Sequence, residues 1–284
     1  MSFKNYLQEK EYSNASIATY ERVVDQFLKW VSKENLETDQ VRYQDVLSYM
    51  KYCSSRKGHS QKTVQHLVIT LGHYFDYQQV RINPAKGIKV QGVKRKTLHH
   101  ILDAQELHAI YHDYEALTLS QRKNKVIIGM LVYQGLKTEE LDRLKISDVK
   151  LKEGKIEVAG GRRSNGRTLQ LEPHQVIDVY EYVMHTRPQI LAKTGQKNDR
   201  LFVSTEGGGK LRIDFLMEQL RKQNAKVENA DQLRASVIVK WLKQYNLREV
   251  QHMAGHRYIS STEAYRQNDM EGLSEEVNQF HPLG

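Results

Sequence analysis

A mostly α-helical protein with a small β-hairpin in its C-terminal half, an α+β chain of two domains, is the fold class that three observations predict. Apolar residues recur at three-and-four spacing through most of the 284 residues. One stretch near residue 160 departs from that period, with two short alternating segments flanking a glycine-rich turn. Charge also divides the chain: residues 51–100 hold ten Lys/Arg against one acidic residue, Asp76, whereas the first fifty hold six against eight.

The elements follow in order. Ile17, Tyr20, Val24, Phe27, Leu28 and Val31 make one helical face, with Ser13 or Ser16 as its cap. Tyr43, Val46, Leu47, Met50 and Cys53 make a second, and Val64, Leu67, Leu71 and Phe75 a third, entered through Ser60. The chain breaks at Asn83-Pro84, because a residue before proline is pushed out of helical geometry. Beyond it, helices are expected over Asp103–Tyr114 and Lys125–Gln134, the latter ending at Gly135. Lys155–Ala159 and Arg167–Leu171 form the hairpin, with Gly160–Gly166 as its turn. Helices resume at Pro173–His185, Asp214–Lys226, Asp231–Lys243 and Leu247–Met253. This divides the chain into a helical domain (1–86), a basic linker (87–102) and a larger C-terminal domain (103–284) that ends in a tail helix.

Composition narrows the function classes. A formal net charge of +9 points to an anionic partner, since Lys/Arg surfaces displace counterions from phosphate chains. The basic stretch includes Arg56, Lys57 and Lys62 and the run Lys86, Lys89, Lys94, Arg95 and Lys96. It is either a solvated face with an exposed linker or a surface that follows a DNA backbone. The single cysteine, Cys53, excludes an internal disulfide and fits a reducing compartment. The N-terminal stretch lacks an apolar signal segment, and the longest apolar run, near Val126–Tyr133, is far below the roughly 20 residues of a membrane helix. A soluble, cytoplasmic protein with no membrane contact is expected. No His/Cys group has metal-ligand spacing, and Gly207–Lys210 lacks the rest of a phosphate-binding loop, so neither metal nor cofactor is expected.

Five places carry chemistry-bearing residues. Gly135-Leu136-Lys137 runs into Glu140-Leu141, Leu144 and Ser147-Asp148. The hairpin turn presents Gly161-Arg162-Arg163. Asp231-Gln232-Leu233-Arg234 and Ala254-Gly255-His256 follow, and Tyr265 stands nine residues beyond the histidine.

In this order and at these spacings, the residues resemble the tyrosine recombinase, or phage-type integrase, family. The resemblance covers nearly the whole chain and implies a C-shaped two-domain DNA clamp, with a helical core-binding domain followed by a catalytic domain. The family's set is an Arg after Gly-Leu, a Lys in a hairpin turn, His-x-x-Arg, Gly-His and a Tyr nine residues on. Arg234, His256 and Tyr265 match by identity. Lys137 stands for the first arginine, Arg162 for the hairpin lysine and Asp231 for the histidine of His-x-x-Arg.

The resemblance implies attack by Tyr265 on a phosphodiester, a 3′-phosphotyrosyl intermediate and release of a 5′-hydroxyl, without cofactor or metal. Arg234, Lys137 and His256 are expected around the phosphate. Arg162 cannot replace lysine as an acid, because a guanidinium stays protonated; Arg162 or Arg163 would contact phosphate while Lys137 donates the proton. Asp231 could orient Arg234 or a nearby base, or take the proton of Tyr265. Double-stranded DNA with specific sites is the implied partner. The implied assembly is a tetramer on two sites, coupled through the tail residues Met270, Leu273, Val277 and Phe280. The alternative is a DNA-binding accessory protein on the same fold with a weakened site.

Overall fold

The protein is described by a computed structural model covering residues 2–92, 100–161, 164–206 and 211–266. Lys94, Arg95, Lys96, Arg162, Arg163, the Gly207–Lys210 run and the tail residues from Gln267 onward lie outside the described residues. The chain divides into two compact units, residues 1–97 and 98–284.

The first unit is helical: α1 (Phe3–Glu9), α2 (Asn14–Lys33), α3 (Tyr43–Ser55) and α4 (Gln61–Tyr77). Serine side chains start three of them, Ser2, Ser13 and Ser60 each accepting from the backbone N–H three residues on. That satisfies a donor which the first helical turn leaves unpaired. The core joins Phe27 of α2, Val46, Tyr49 and Cys53 of α3, and Leu67, Leu71 and Phe75 of α4. The rings of Phe27 and Tyr49 meet edge-on at 5.0 Å.

The expected face of α3 differs from the observed one. Tyr43 and Leu47 are 51% and 38% exposed, while Tyr49 is fully buried. The inward stripe of α3 is centred on Val46, Tyr49 and Cys53, so Leu47 falls on its flank. The helix before Pro84 ends at Tyr77, and the chain turns through Gln79 with φ 54° ahead of Asn83-Pro84. Arg56 and Lys57 are exposed just after α3, and Lys62 is exposed in the first turn of α4.

The second unit opens with α5 (Ala104–His112), α6 (Leu119–Val132) and the short α7 (Thr138–Arg143). Helix α6 starts six residues before the expected Lys125 because Thr118 and Gln121 form a reciprocal capping box. Three antiparallel strands follow in the order β1 (Val149–Lys150), β2 (Lys155–Val158) and β3 (Arg167–Gln170). The β2–β3 register pairs Val158 with Arg167 and Ile156 with Leu169. Ile156, Val158, Arg167 and Leu169 face inward, the alternation a half-buried sheet requires.

Helix α8 (Pro173–Glu181) does not stop at His185. It continues through a π-turn at Tyr182–Thr186 into α9 (Arg187–Thr194), the wider turn falling just before Pro188. Then come α10 (Ile213–Gln223), α11 (Ala230–Leu242) and α12 (Leu247–Ala254), and residues 259–266 are again helical. Helix α11 is buried almost all round, which makes it the axle of this unit. Among the described residues, no helix is long and apolar enough to cross a membrane.

Candidate active site

Arg234 projects from α11 with 4% exposure. Its guanidinium is oriented by the main chain: Nη1 donates to the Gly135 carbonyl, and Nη2 to the Ala254 carbonyl at 2.6 Å. One side chain thereby ties the turn before α7 to the end of α12. Gly135 makes that turn at φ 56°, where a Cβ would meet Val237 Cγ1 at 3.2 Å.

Lys137 is the first residue of the next turn and caps α7. Its backbone N–H donates to Glu140 Oε2 at 2.9 Å. Its half-buried ammonium has no hydrogen-bond partner among the described residues. Glu140 receives far more. The Arg167 guanidinium pairs with it in bidentate fashion, Nη1 to Oε1 at 2.8 Å and Nη2 to Oε2 at 2.9 Å, with both side chains essentially inaccessible. Two parallel N–H···O bonds fix direction as well as distance.

Arg167 also packs under the Gly-His turn. Gly255 caps α12 at φ 65°, and a Cβ there would lie 2.6 Å from Arg167 Nη1. Glycine is therefore required twice over, by conformation and by space. The hairpin turn docks on the same place: Asn165 N–H donates to the Gly255 carbonyl at 3.0 Å, and Ser164 bridges His256.

His256 is 8% exposed. Its Nδ1 lies 2.9 Å from Thr262 Oγ1, and its Nε2 lies 3.4 Å from Arg234 Nη2. Tyr265 sits one helical turn after Thr262, and its ring stacks on His256 with centroids 5.7 Å apart and planes inclined by 14°. Lys137, Arg234, His256, Arg257, Tyr258, Ser261 and Tyr265 line one cavity of about 510 Å³.

Burial and clustered positive charge set the electrostatics. Burial and then the Arg234 charge push the Lys137 ammonium below the usual lysine range, against the opposing pull of Glu140. The same causes, with Lys137 and Arg167 added, bring His256 down to about 4, so its imidazole is neutral near pH 7. Burial raises the Tyr265 phenol, the neighbouring Arg234 opposes the rise by charge and hydrogen bond, and the Asp231 charge adds to it. Glu140 is pushed up by burial, but Arg167 outweighs this and holds it below the usual carboxylate range.

The sequence-predicted residues Lys137, Arg234, His256 and Tyr265 thus meet in one place. Asp231 is exposed in the first turn of α11, and its charge acts on Tyr265, while the main-chain carbonyls orient Arg234. The Glu140–Arg167 pair and Thr262 join the site without any motif in the sequence to mark them. A capping-box glutamate three residues after Lys137 and an inward arginine opening β3 were the available signals, but neither reveals the pairing. Among the described residues, no group of three or more His, Cys, Asp or Glu is placed to hold a metal ion.

The chain matches the phage integrase family over residues 100–272 and the N-terminal SAM-like domain of phage integrases over residues 1–81. The chain belongs to the phage integrase family, the tyrosine-type site-specific recombinases. It is similar to the tyrosine recombinase XerD of Listeria innocua, 24% identical over 96% of this chain and 95% of that protein. Tyrosine recombinase XerC of Bacillus pumilus is likewise 24% identical, over 99% and 95%. Among solved structures, the XerH site-specific recombinase bound to its palindromic difH substrate shares the fold, with TM-score 0.74, 21% identity and coverage of 96% of this chain and 82% of that one. A lambda integrase dimer bound to a core site shares it at TM-score 0.67 and 13% identity, covering 94% and 75%.

Proposed function

We propose that this protein cuts and rejoins double-stranded DNA at specific sites through a 3′-phosphotyrosyl bond to Tyr265. The observation that carries the reading is the convergence of Tyr265, His256, Arg234 and Lys137 on one cavity, with the Arg234 charge acting on the Tyr265 phenol. In the reaction, the Tyr265 oxygen attacks phosphorus, the P–O5′ bond breaks, and the 3′-phosphate stays on the enzyme. The 5′-hydroxyl of a partner strand later reverses the step, so the bond energy is conserved in the tyrosyl ester.

These side chains divide the work of the reaction. Arg234, held by two carbonyls, presents its remaining N–H groups to the non-bridging oxygens without reorganisation during the reaction. Neutral His256 contributes a hydrogen bond rather than a charge. Lys137 supplies charge to the phosphate and the proton for O5′: its lowered pKa brings an ammonium closer to the acidity a general acid needs. Arg162, or Arg163, contacts phosphate. Asp231, on the tyrosine side, accepts the phenolic proton as attack proceeds. The exposed Arg56, Lys57 and Lys62, with Lys94, Arg95 and Lys96, contact the DNA backbone.

Recombination by a tetramer on two sites, coupled through the tail, and a cytoplasmic, nucleoid-associated location complete the proposal. Integration, transposition and inversion share this chemistry. The binding-only alternative is not favoured, because a decayed site has no need to keep four reactive side chains together. Covalent trapping on a nicked suicide substrate tests the reading: a DNA-linked protein that is lost in Tyr265→Phe supports it, and no adduct from wild type refutes it.

A further inference from the structure

We propose that Arg257 is a further catalytic residue, a second guanidinium that binds a non-bridging oxygen of the phosphate attacked by Tyr265. This rests on Tyr265 being the nucleophile, and it names the group that keeps a positive charge on the phosphate when Lys137 gives its own up. Among the described residues, three cationic side chains line the cavity of His256 and Tyr265: Lys137, Arg234 and Arg257. Three oxygens of the reacting phosphate call for them. The two non-bridging oxygens gather charge in the transition state, and O5′ needs a proton as it leaves.

Arg234 and Lys137 do not cover all three. A guanidinium has five N–H groups. Arg234 spends one on the Gly135 carbonyl, one on the Ala254 carbonyl and one on His256 Nε2, so at most two face a phosphate. Lys137 becomes neutral as its proton passes to O5′, so its charge is withdrawn while the non-bridging oxygens still carry theirs. His256 is neutral near pH 7 and adds no charge. A guanidinium at Arg257 stays protonated throughout, and its planar fork suits a phosphate oxygen.

The main chain delivers Arg257 together with His256. Gly255 turns the chain out of α12 at φ 65°, and the His256 N–H then donates to the Gln251 carbonyl at 2.9 Å. The Gln251 side-chain amide donates back to the His256 carbonyl at 3.2 Å and to the Arg257 carbonyl at 3.4 Å. One glutamine thus pins two successive residues at one cavity, His256 buried and Arg257 on the exposed side.

The test compares full-length wild type and Arg257→Ala on nicked suicide substrates. The scissile phosphate is either ordinary or one of the two methylphosphonate stereoisomers, in which an uncharged methyl replaces one non-bridging oxygen. On ordinary DNA, Arg257→Ala should form the covalent adduct about a hundredfold more slowly, the scale of one lost oxyanion donor, with affinity for the site near that of wild type. On the stereoisomer that lacks the oxygen bound by Arg257, variant and wild type should react at similar rates. A deficit of the same size on both stereoisomers, or no adduct from Arg257→Ala on either, overturns the proposal. So does a wild-type rate for Arg257→Ala on ordinary DNA, or a loss of affinity that matches the loss of rate, because Arg257 would then be a backbone contact only. No adduct from wild type on ordinary DNA would remove the Tyr265 reading itself, whereas these other outcomes refute the role of Arg257 alone.

Discussion

The phenol ring of Tyr265 lies nearly parallel to the imidazole of His256, with centroids 5.7 Å apart and planes inclined by 14°. Stacking fixes the direction of the tyrosine, and the adjacent Arg234 opposes the rise in phenol pKa that burial causes. Tyr265 is therefore stacked on a neutral ring and tuned by a buried cation. Each group around it makes a separable contribution that substitution can expose.

Lys137 carries the proton-transfer claim. Lys137→Ala should lower cleavage of ordinary DNA by at least about a hundredfold, the scale of general acid catalysis. A substrate with a 5′-bridging sulfur, whose leaving group needs no proton, should restore most of that rate. The acid must be protonated to act, so wild-type cleavage should fall as pH rises through the Lys137 pKa. Because that pKa is depressed, the fall should come below the usual lysine range. A profile flat up to pH 10, or an absence of sulfur rescue, would remove Lys137 from this role.

The Glu140–Arg167 pair should matter for stability first. Removing one partner leaves a buried, uncompensated charge, so Arg167→Met should destabilise the protein by about 3–5 kcal/mol in denaturant unfolding. The double variant Glu140→Gln with Arg167→Met should recover part of the loss. The sign of the pH effect follows from Glu140, whose pKa in the folded protein is depressed. Its contribution is present above the unfolded-state carboxylate pKa and is lost as pH falls through the folded value. In Glu140→Gln that acid-dependent loss should be smaller; an unchanged acid limb would assign it to other groups.

Asp231 distinguishes proton transfer from mere orientation. Its charge acts on Tyr265, whereas two main-chain carbonyls already orient Arg234. Asp231→Asn should therefore cut the rate of covalent adduct formation by about a hundredfold while leaving DNA affinity near wild type. A mild effect on the rate would return the carboxylate to an orienting role.

Much of this was legible in the sequence, for identifiable physical reasons. Helices announce themselves through period and caps, as Ser13, Ser60 and Asp103 do, and the hairpin announces itself through alternation around glycine. The in-order spacing of Arg234, His256 and Tyr265 singled out three residues that line one cavity. What escaped depends on distance in space. Glu140 and Arg167 are 27 residues apart, and no local pattern reveals that their carboxylate and guanidinium meet. Thr262 looks like any polar residue in a short helix until its hydroxyl is found against Nδ1. Helix α9 escaped because a proline ordinarily ends a helix, and here a π-turn carries the chain past it.

The most direct measurement is the mass of the peptide that carries DNA after reaction with a nicked suicide substrate containing the cognate site. A 3′-phosphoryl adduct is expected on the peptide containing Tyr265, absent in Tyr265→Phe although that variant still binds the DNA. An adduct on any other residue, or full cleavage by Tyr265→Phe, would contradict it.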